Sequence, residues 1–323
     1  MVDPAGIHAF PGYRDAELPT ATSFSEGKVR DIFYLGDDEL VISTSDRISA
    51  FDRILGVVPL KGEVLNRLSV YWFGKTGDII RNHLLATISP RAVLAAACHV
   101  IPVEAVVRGY LTGSAWRDYC AGRPISGISL PDGMRENQRF DTPLLTPSTK
   151  ESDGLHDRPC SREEILAADI VPRGVWEQIE QTALQLFARG TEIAAKRGLI
   201  LVDTKYEFGI RDGELYLIDE LHTPDSSRYW FADTYRDRFD GGEYPNQLDK
   251  EYLRRWLMEQ GFSGDGHPPE IPDTVMHEVS RRYQEAFELI TGTEFKSLSL
   301  DSEAEKHKIL SFVEERQDDQ EDE

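Results

Sequence analysis

The chain has 323 residues, which suggests about two domains, and its 40% hydrophobic and 10% aromatic content is typical of a folded protein rather than a disordered one. Its net charge of −21, from 36 basic and 57 acidic residues, argues against broad nucleic-acid binding, because that requires a basic surface. Its three separated cysteines argue against a disulfide framework and favour a reducing compartment.

The N-terminal segment lacks the basic and apolar regions of a secretory signal. The longest uncharged apolar stretch, 92–103, is too short to span a bilayer. The sequence therefore predicts a cytoplasmic protein that does not act at a membrane.

The first part of the chain predicts mostly β-structure. Residues 1–20 are predicted to form an extended arm, 29–35 and 40–44 a β-hairpin, 64–73 a helix and 99–107 a strand. We expect a β-rich domain over 1–105.

The second part predicts longer elements. Residues 121–160 are rich in turn formers and lack apolar periodicity, so we expect a long functional loop there. Ser161 and Glu164 form a capping-box pattern that predicts a helix start. The apolar stripe of 173–197 predicts the strongest helix.

Two strands and a helical region are expected to follow. Strands are predicted at 199–208 and 215–219, helices at 249–260 and 274–291, and a further short helix before the end of the chain. The predicted division is a larger domain over 106–313 and a solvated, disordered acidic tail over 314–323.

The strand at 199–208 carries an alternating charged pattern. Alternation places Asp203, Lys205 and Glu207 on one face, which is typical either of an exposed surface or of a site. Asp219 ends the next strand, and carboxylates on adjacent strands can hold Mg²⁺. A three-residue loop places Glu207 opposite Asp219, whereas an Asp-Gly turn places them on opposite faces. Local turn rules favour the Asp-Gly turn, but the magnesium hypothesis leads us to predict the three-residue loop.

Five other segments combine charged side chains with Gly, Ser, Thr or Pro. They are Ser25–Arg30, Ser43–Asp52, Val106–Ser114, Pro143–Lys150 and Thr223–Arg228. In the same order, each also has an ordinary explanation: a turn, a helix cap, a buried ion pair, a solvated lysine and a β-turn.

The cations of these segments and of the charged strand share one property. Each lies in a polar segment that contains Gly, Ser or Thr, within an otherwise acidic chain, and anionic ligands need such local positive charge. We therefore expect one cleft for several anions. Its predicted cations are Lys28, Arg30, Arg47, Arg108, Lys150, Lys205 and Arg228.

Taken together, these segments resemble the SAICAR synthetase family, in the family's order, over about residues 20–300. The most specific segments are 146–150, 202–209, 219–220 and 223–228. The resemblance implies an α+β fold, with a small antiparallel β N-terminal domain like a kinase N-lobe and a larger ATP-grasp-like α+β domain.

The resemblance also implies a reaction of purine biosynthesis. ATP, carboxyaminoimidazole ribonucleotide (CAIR) and L-aspartate would give the succinocarboxamide SAICAR, ADP and phosphate through an acyl phosphate. The implied enzyme is a carbon–nitrogen ligase that uses ATP and Mg²⁺ and binds small molecules, as a monomer or small homo-oligomer.

Residue roles follow from the resemblance alone. The implied catalytic residues are Lys205, Lys150 and Asp203. The implied nucleotide-binding residues are Gly27, Lys28, Arg30, Pro102, Glu104, Ala105 and Lys150. The implied substrate-binding residues are Asp46, Arg47, Ser49, Arg108, Ser114, Asp203, Ser226 and Arg228. The implied metal ligands are Glu207 and Asp219.

Two other functions are compatible with the residues. A small-metabolite kinase would use the same phosphate chemistry without an amine, and a non-catalytic nucleotide-binding module would keep the glycines and cations. The joint presence of Glu207 and Asp219 argues against the module.

Overall fold

The computed structural model describes residues 9–13, 18, 21–51, 53–150, 158–248, 251–264, 266–298 and 300–321. These residues form an α+β protein built on antiparallel sheets, which confirms the predicted fold class. Most of the predicted N-terminal arm lies outside the described residues. None of the helices within these ranges is long and apolar enough to cross a membrane.

The elements are numbered here in chain order. The strands are β1 (Ser23–Glu26), β2 (Arg30–Tyr34), β3 (Glu39–Thr44), β4 (Arg47–Ala50), β5 (Arg53–Val57), β6 (Leu84–Thr87), β7 (Ala92–Ala96), β8 (His99–Val100), β9 (Val103–Leu111), β10 (Gln138–Leu145), β11 (Ser148–Thr149), β12 (Arg158–Pro159), β13 (Leu199–Arg211), β14 (Glu214–Ile218) and β15 (Ser227–Phe231). The helices are α1 (Lys61–Thr76), α2 (Gly113–Cys120), α3 (Arg162–Ala167), α4 (Arg173–Ala195), α5 (Ala232–Asp240), α6 (Glu251–Glu259), α7 (Asp273–Thr291) and α8 (Ser302–Glu321).

The chain divides into two compact units, each made of separate stretches of sequence. The first unit comprises Met1–Tyr71, His83–Ala97 and Asp249–Glu323, and the second comprises Trp72–Asn82 and Cys98–Leu248. The sequence-based division kept residues 249–313 with the larger domain instead, and its boundaries stay a prediction.

The first unit contains an antiparallel sheet in the order β1-β2-β3-β7-β6. The predicted hairpin of β2 and β3 is confirmed by their antiparallel pairing. Buried side chains of this sheet, including Phe33 and Val41, pack with Ile309 and Val313 of α8. The prediction of a disordered tail is wrong for residues 314–321, which continue α8. The two apolar side chains that anchor this helix account for the difference, because they lie ahead of the acidic run.

The second unit is built around a larger sheet with the path β12-β11-β9-β13-β14, to which β8, β10 and β15 also pair. Helix α4 packs on β13 and β9 through its buried stripe, including Trp176, Ile179 and Leu186, as predicted from its periodicity. The predicted capping box of Ser161 and Glu164 begins α3.

The expectation of a long loop over 121–160 is only partly correct. Strand β10 lies inside it and pairs with β9, with a register shift between Arg139 and Leu144. Pro143 lies in that irregular stretch, where a residue without an N–H does not interrupt the pairing. A polar strand interrupted in this way shows no period-2 pattern, so the sequence gives no strand signal.

Candidate active site

One face of the sheet in the second unit carries the charged residues of β13. Residues Val202, Thr204, Tyr206 and Phe208 are buried on the opposite face, as alternation requires. Asp203, Lys205 and Glu207 therefore share a face, which confirms the predicted alternation.

Neighbouring strands add charged residues to the same face. In the β9–β13 register Arg108 lies opposite Asp203, so the side chains of Arg108 and Asp203 share a face. Continuing this register brings Glu104 beside Glu207. Ser148 of β11 lies opposite Glu104, so a third strand borders the same face.

Glu104, Lys205, Glu207 and Lys150 form a chain of alternating charges. The Lys205 ammonium donates to Glu104 Oε1 at 2.6 Å and to Glu207 Oε1 at 2.7 Å. The Lys150 ammonium donates to the other oxygen of Glu207. The carboxylates are nearly buried while Lys150 is 42% exposed, so a ligand reaching this face meets the lysine first.

The charge state of Lys205 is fixed by its neighbours. Burial opposes the ammonium form, but the carboxylates of Glu207, Glu104 and Asp219 together raise the pKa of Lys205 above its ordinary value. Lys205 is therefore a permanent cation, suited to neutralising an anion and unsuited to acting as a base.

The predicted register of β13 and β14 is wrong. Arg211 pairs with Glu214 across a two-residue turn, and Glu207 lies opposite Ile218 rather than Asp219. Asp212 and Gly213 have φ values of 53° and 77°, so the local preference of Asp-Gly for a tight hairpin determines the register.

Asp219 nevertheless acts on the charged face. Strand β14 ends at Ile218, and Asp219 has a left-handed backbone with φ of 65°, so the chain turns before the next side chain. Its negative charge is one of those that raise the pKa of Lys205. The role of Asp219 as a metal ligand stays a prediction.

The carboxylates near Lys205 fit a magnesium ion of the kind that nucleotides carry. Mg²⁺ is commonly held by one or two carboxylates, with phosphate and water oxygens completing the shell. Glu207 accepts from the Lys205 ammonium, and the Asp219 carboxylate is close enough to raise the pKa of the same lysine. Across the described ranges there is no group of three His, Cys, Asp or Glu side chains suited to a metal. A metal here would therefore need oxygens from its ligand.

A second charged group on the same face consists of Arg108, Asp203 and Arg228. Asp203 accepts from Arg228 Nε at 3.0 Å and Nη2 at 2.9 Å, and lies 3.4 Å from Arg108 Nη1. Arg108 also donates to Ser114 Oγ at 3.2 Å and Thr146 Oγ1 at 2.9 Å. One carboxylate therefore holds two guanidinium groups together, and the pair keeps a net positive charge.

Gly113 makes room for this second group. Its φ is 61°, and a Cβ placed there would lie 2.3 Å from Arg228 Nη1. Glycine is required both by the left-handed backbone and by the approach of the guanidinium.

Ser226 belongs to the loop that precedes β15. Its carbonyl accepts from the backbone N–H of Lys205 at 3.1 Å, and its hydroxyl lies 3.4 Å from Thr223 Oγ1. Thr223 Oγ1 in turn donates to Glu220, so the second acid after β14 bonds to this loop.

The remaining nucleotide-binding candidates of the second unit lie around the start of β9. Pro102 is exposed, and its carbonyl accepts from the backbone N–H of Lys150 at 3.1 Å. Ala105 is fully buried opposite Tyr206, so only its backbone is available to a ligand. Glu104 contributes through its carboxylate to Lys205, a role that the sequence did not indicate.

The first unit holds the other candidates. Gly27 donates from its N–H to the Arg30 carbonyl at 2.8 Å, which forms a tight turn between β1 and β2 that carries Lys28. Arg47 supports this turn, donating to the carbonyls of Gly27 at 2.9 Å and Lys28 at 3.3 Å. Arg47 is also paired with Asp31 at 2.6 Å.

Asp46 is fully buried and its oxygens are engaged within the unit. They accept from Arg91 Nη1 at 2.6 Å and from the N–H groups of Phe10 and Gly62, each at 2.7 Å. Gly62 lies in the first turn of α1, so helix capping accounts for part of this motif. Ser49 lies on β4 opposite Ile54 and is only partly buried.

The structure thus brings together part of the predicted cluster of cations. Lys150 and Lys205 form one group, and Arg108 and Arg228 form the second, on one sheet face. Lys28, Arg30 and Arg47 belong to the other unit, and a single cleft for all seven stays a prediction. The sequence analysis missed His222, a buried residue next to the acidic turn, whose only signal was its place between Glu220 and Thr223.

Comparisons of this chain with family models, curated proteins and solved structures all find the same family. The family model described as SAICAR synthetase matches residues 23–269. A phosphoribosylaminoimidazole-succinocarboxamide synthase from Bacteroides thetaiotaomicron is 49% identical over 305 residues, covering 93% of this chain and 97% of the relative.

Two solved structures extend the likeness to the fold. A SAICAR synthase from Saccharomyces cerevisiae, complexed with SAICAR, is 32% identical with a TM-score of 0.77, covering 88% of this chain and 98% of that one. A SAICAR synthetase in complex with ADP is 25% identical with a TM-score of 0.66, covering 85% of this chain and all of that one.

Proposed function

This chain belongs to the SAICAR synthetase family of ligases in purine biosynthesis, and from that premise we propose that it joins L-aspartate to CAIR at the expense of ATP. The products are SAICAR, ADP and phosphate. The observation that carries the proposal is the pair of cationic groups on one sheet face, around Lys205 and around Arg108.

The reaction needs an activated carboxylate. The CAIR carboxylate is a poor acyl donor, because its leaving group would be oxide. Its oxygen attacks the γ-phosphorus of ATP, the bond to ADP breaks, and an acyl phosphate forms. The aspartate amine then attacks the acyl carbon, loses a proton and expels phosphate.

Lys205 and Lys150 are suited to the phosphoryl step. Negative charge moves from the γ-phosphate to ADP, so fixed cations lower the barrier by neutralising it. Lys205 is held in place by two carboxylates. Lys150 is more exposed, and we propose that it contacts the transferring oxygens when the ligands bind.

Glu207 and Asp219 would hold Mg²⁺, which supplies charge neutralisation and orientation to the phosphates when bound. For this to happen Glu207 must share with the metal an oxygen that the lysines contact in this structure.

The group of Arg108, Asp203 and Arg228 is proposed to bind CAIR. A guanidinium pair recognises the oxygens of a phosphate or carboxylate through paired donors. Asp203 orients both arginines, and Ser114 adds a hydroxyl beside Arg108. Ser226, two residues before Arg228, is proposed as a further hydroxyl for the substrate. The yeast relative complexed with SAICAR supports a site of this kind.

Residues that bind ATP are proposed in each unit by itself. The turn of Gly27, Lys28 and Arg30 offers N–H groups and cations for phosphates. The backbone of 102–105, at the start of β9, is proposed to contact adenine. The ADP complex of a relative supports nucleotide binding. Arg47, first assigned to substrate, is better proposed as a support of this turn. Asp46, also first assigned to substrate, is better proposed as a support of Arg91 and of the start of α1, which leaves Ser49 as the candidate for substrate contact.

A coupled assay tests the proposal directly. ADP release is measured with Mg·ATP and CAIR, with and without L-aspartate, and the product is identified by mass. Release that requires aspartate, with SAICAR as product, supports the proposal. ADP release that does not depend on aspartate would indicate a metabolite kinase, and ATP binding without ADP release would indicate a non-catalytic module.

We also propose that the enzyme is cytoplasmic and acts as a monomer or small homo-oligomer.

A further inference from the structure

His222 is a buried titratable residue that the proposed reaction does not use. Its side chain is fully buried, and burial lowers the pKa of His222 to about 3, so the ring is neutral at physiological pH. It lies three residues after Asp219, inside the turn that connects β14 to the loop before β15.

The imidazole is held on the side of the sheet opposite the charged face. Its Nε2 lies 2.7 Å from the Tyr206 hydroxyl, and Tyr206 projects from β13 on the face opposite Lys205 and Glu207. The Trp72 ring meets the imidazole edge-on at 4.7 Å. Helix α4 packs against it at Gly190, where a Cβ would lie 2.4 Å from His222 Cε1.

The backbone of His222 is held as well. The Tyr229 hydroxyl, from β15, donates to the His222 carbonyl at 2.7 Å. His222 and Asp219 both have left-handed backbones, with φ of 52° and 65°. This conformation is uncommon outside glycine, although Asp and His adopt it more often than most residues. Tyr206 and Tyr229, from two strands, hold His222 in place.

From this arrangement we infer that His222 is a positioning residue. It anchors the turn of residues 219–223 on the sheet face opposite the charged residues, so that the Asp219 carboxylate faces Lys205. The inference rests on the proposed function for its consequence, since Asp219 is the proposed metal ligand. The turn crosses the end of the sheet, with Asp219 acting on one face and His222 anchored on the other.

Tyr206→Phe is the mildest test, because it removes one hydroxyl and leaves the ring packing. We expect the dissociation constant of Mn²⁺ in the presence of ADP, measured by electron paramagnetic resonance, to rise by about tenfold, as for other residues that orient metal ligands. KM for CAIR should stay within about twofold, since the arginine group is not touched. A general loosening of the unit would change both constants together.

His222→Asn provides a second, independent variant. Asparagine accepts a left-handed backbone readily but is too short to reach the Tyr206 hydroxyl. It should also raise the dissociation constant of Mn²⁺. The double variant should have a dissociation constant no higher than that of the more affected single variant, because both substitutions break the same hydrogen bond.

Tyr119→Phe is the matched control. It also removes a hydrogen-bonded tyrosine hydroxyl in the same unit, which donates to the Pro131 carbonyl at 3.0 Å. This contact does not involve the turn of residues 219–223. It should bind Mn²⁺ like the unaltered protein. Unchanged Mn²⁺ binding in folded Tyr206→Phe and His222→Asn proteins would overturn the inference. If the unaltered protein makes no SAICAR but these shifts in Mn²⁺ binding occur, the proposed function fails and the positioning role stands.

Discussion

The buried arginines of the first unit differ from the cations of the second unit in their solvent exposure and in their hydrogen-bond partners. Arg91 and Arg47 have side chains only 1% and 8% exposed, and their partners include carboxylates with no exposure. Lys205, Arg228 and Lys150 are 21–42% exposed and bond mainly to other charged side chains.

The difference separates charges that hold the fold from charges that are available to a ligand. Backbone carbonyls and N–H groups fill the bonding capacity of Arg47 and Asp46, so an added anion has nothing to bind. On the sheet face of the second unit, Lys205, Arg228 and Lys150 keep an exposed fraction that a ligand can reach. An exposed fraction combined with charged partners is therefore the better indicator of a site than the presence of charge.

Asp219→Asn should have the greatest effect on catalysis. Removing one charge from the proposed metal site should lower kcat/KM for ATP by about 10³-fold or more while the fold persists, because phosphoryl transfer depends on that charge neutralisation. Steady-state kinetics with circular dichroism would measure this. Asp212→Asn, an exposed acid at the tip of the same hairpin, is the matched control and should behave normally. Near-normal activity of Asp219→Asn would remove it as a metal ligand.

Asp46→Asn should instead act on stability. It leaves Arg91 buried without its carboxylate, so the free energy of unfolding should fall by about 3–5 kcal/mol. Denaturant titration would measure the loss. Asp203→Asn is the counterpart on the sheet face, where we expect a smaller stability loss and a raised KM for CAIR. If the two variants gave the same pattern, the distinction between the units would fail.

Acidification should destabilise the second unit through His222. Its folded pKa of about 3 lies below the unfolded value of about 6.5, so the unfolded chain binds the proton first. Stability is complete above about pH 6.5 and falls by about 1.4 kcal/mol per unit as pH drops toward 3. Unfolding followed across pH should show a shallower slope for His222→Asn, and an identical slope would contradict the burial of a neutral ring.

Deletion of residues 314–323 should have the smallest effect. It removes the pair of Arg316 with Glu39, at 2.5 Å, and should lower the free energy of unfolding by about 1 kcal/mol without changing kcat. Arg316→Gln should reproduce the stability loss. A large fall in kcat would give the end of α8 a role in catalysis.

The sequence predicted those elements whose apolar pattern is regular. Helix α4 and strand β13 appeared close to their predicted bounds, because one has a continuous stripe and the other alternates over an entire face. The charged residues of β13 were placed on a common face by that alternation alone.

Other features depend on contacts that a linear pattern does not contain. The register at Glu207 was predicted from the magnesium hypothesis, whereas the local preference of Asp212–Gly213 for a tight turn determines it. Asp46 resembled a ligand-binding residue because its partner Arg91 is distant in sequence. The position of His222 in the chain gave little indication of its contacts, because Tyr206 and Tyr229 reach it from other strands.

The division of the chain also has a consequence for the order of folding during synthesis. Residues 98–248, most of the second unit, leave the ribosome before Asp249–Glu323, which complete the first. At about 5–20 residues per second, the strands of the first unit wait about 10–40 seconds for α8. Until Ile309 and Val313 arrive, the apolar side chains around Phe33 and Val41 lack part of their cover. The earliest strands to be made are thus among the last to be finished, and during that interval the nascent chain is most exposed to aggregation.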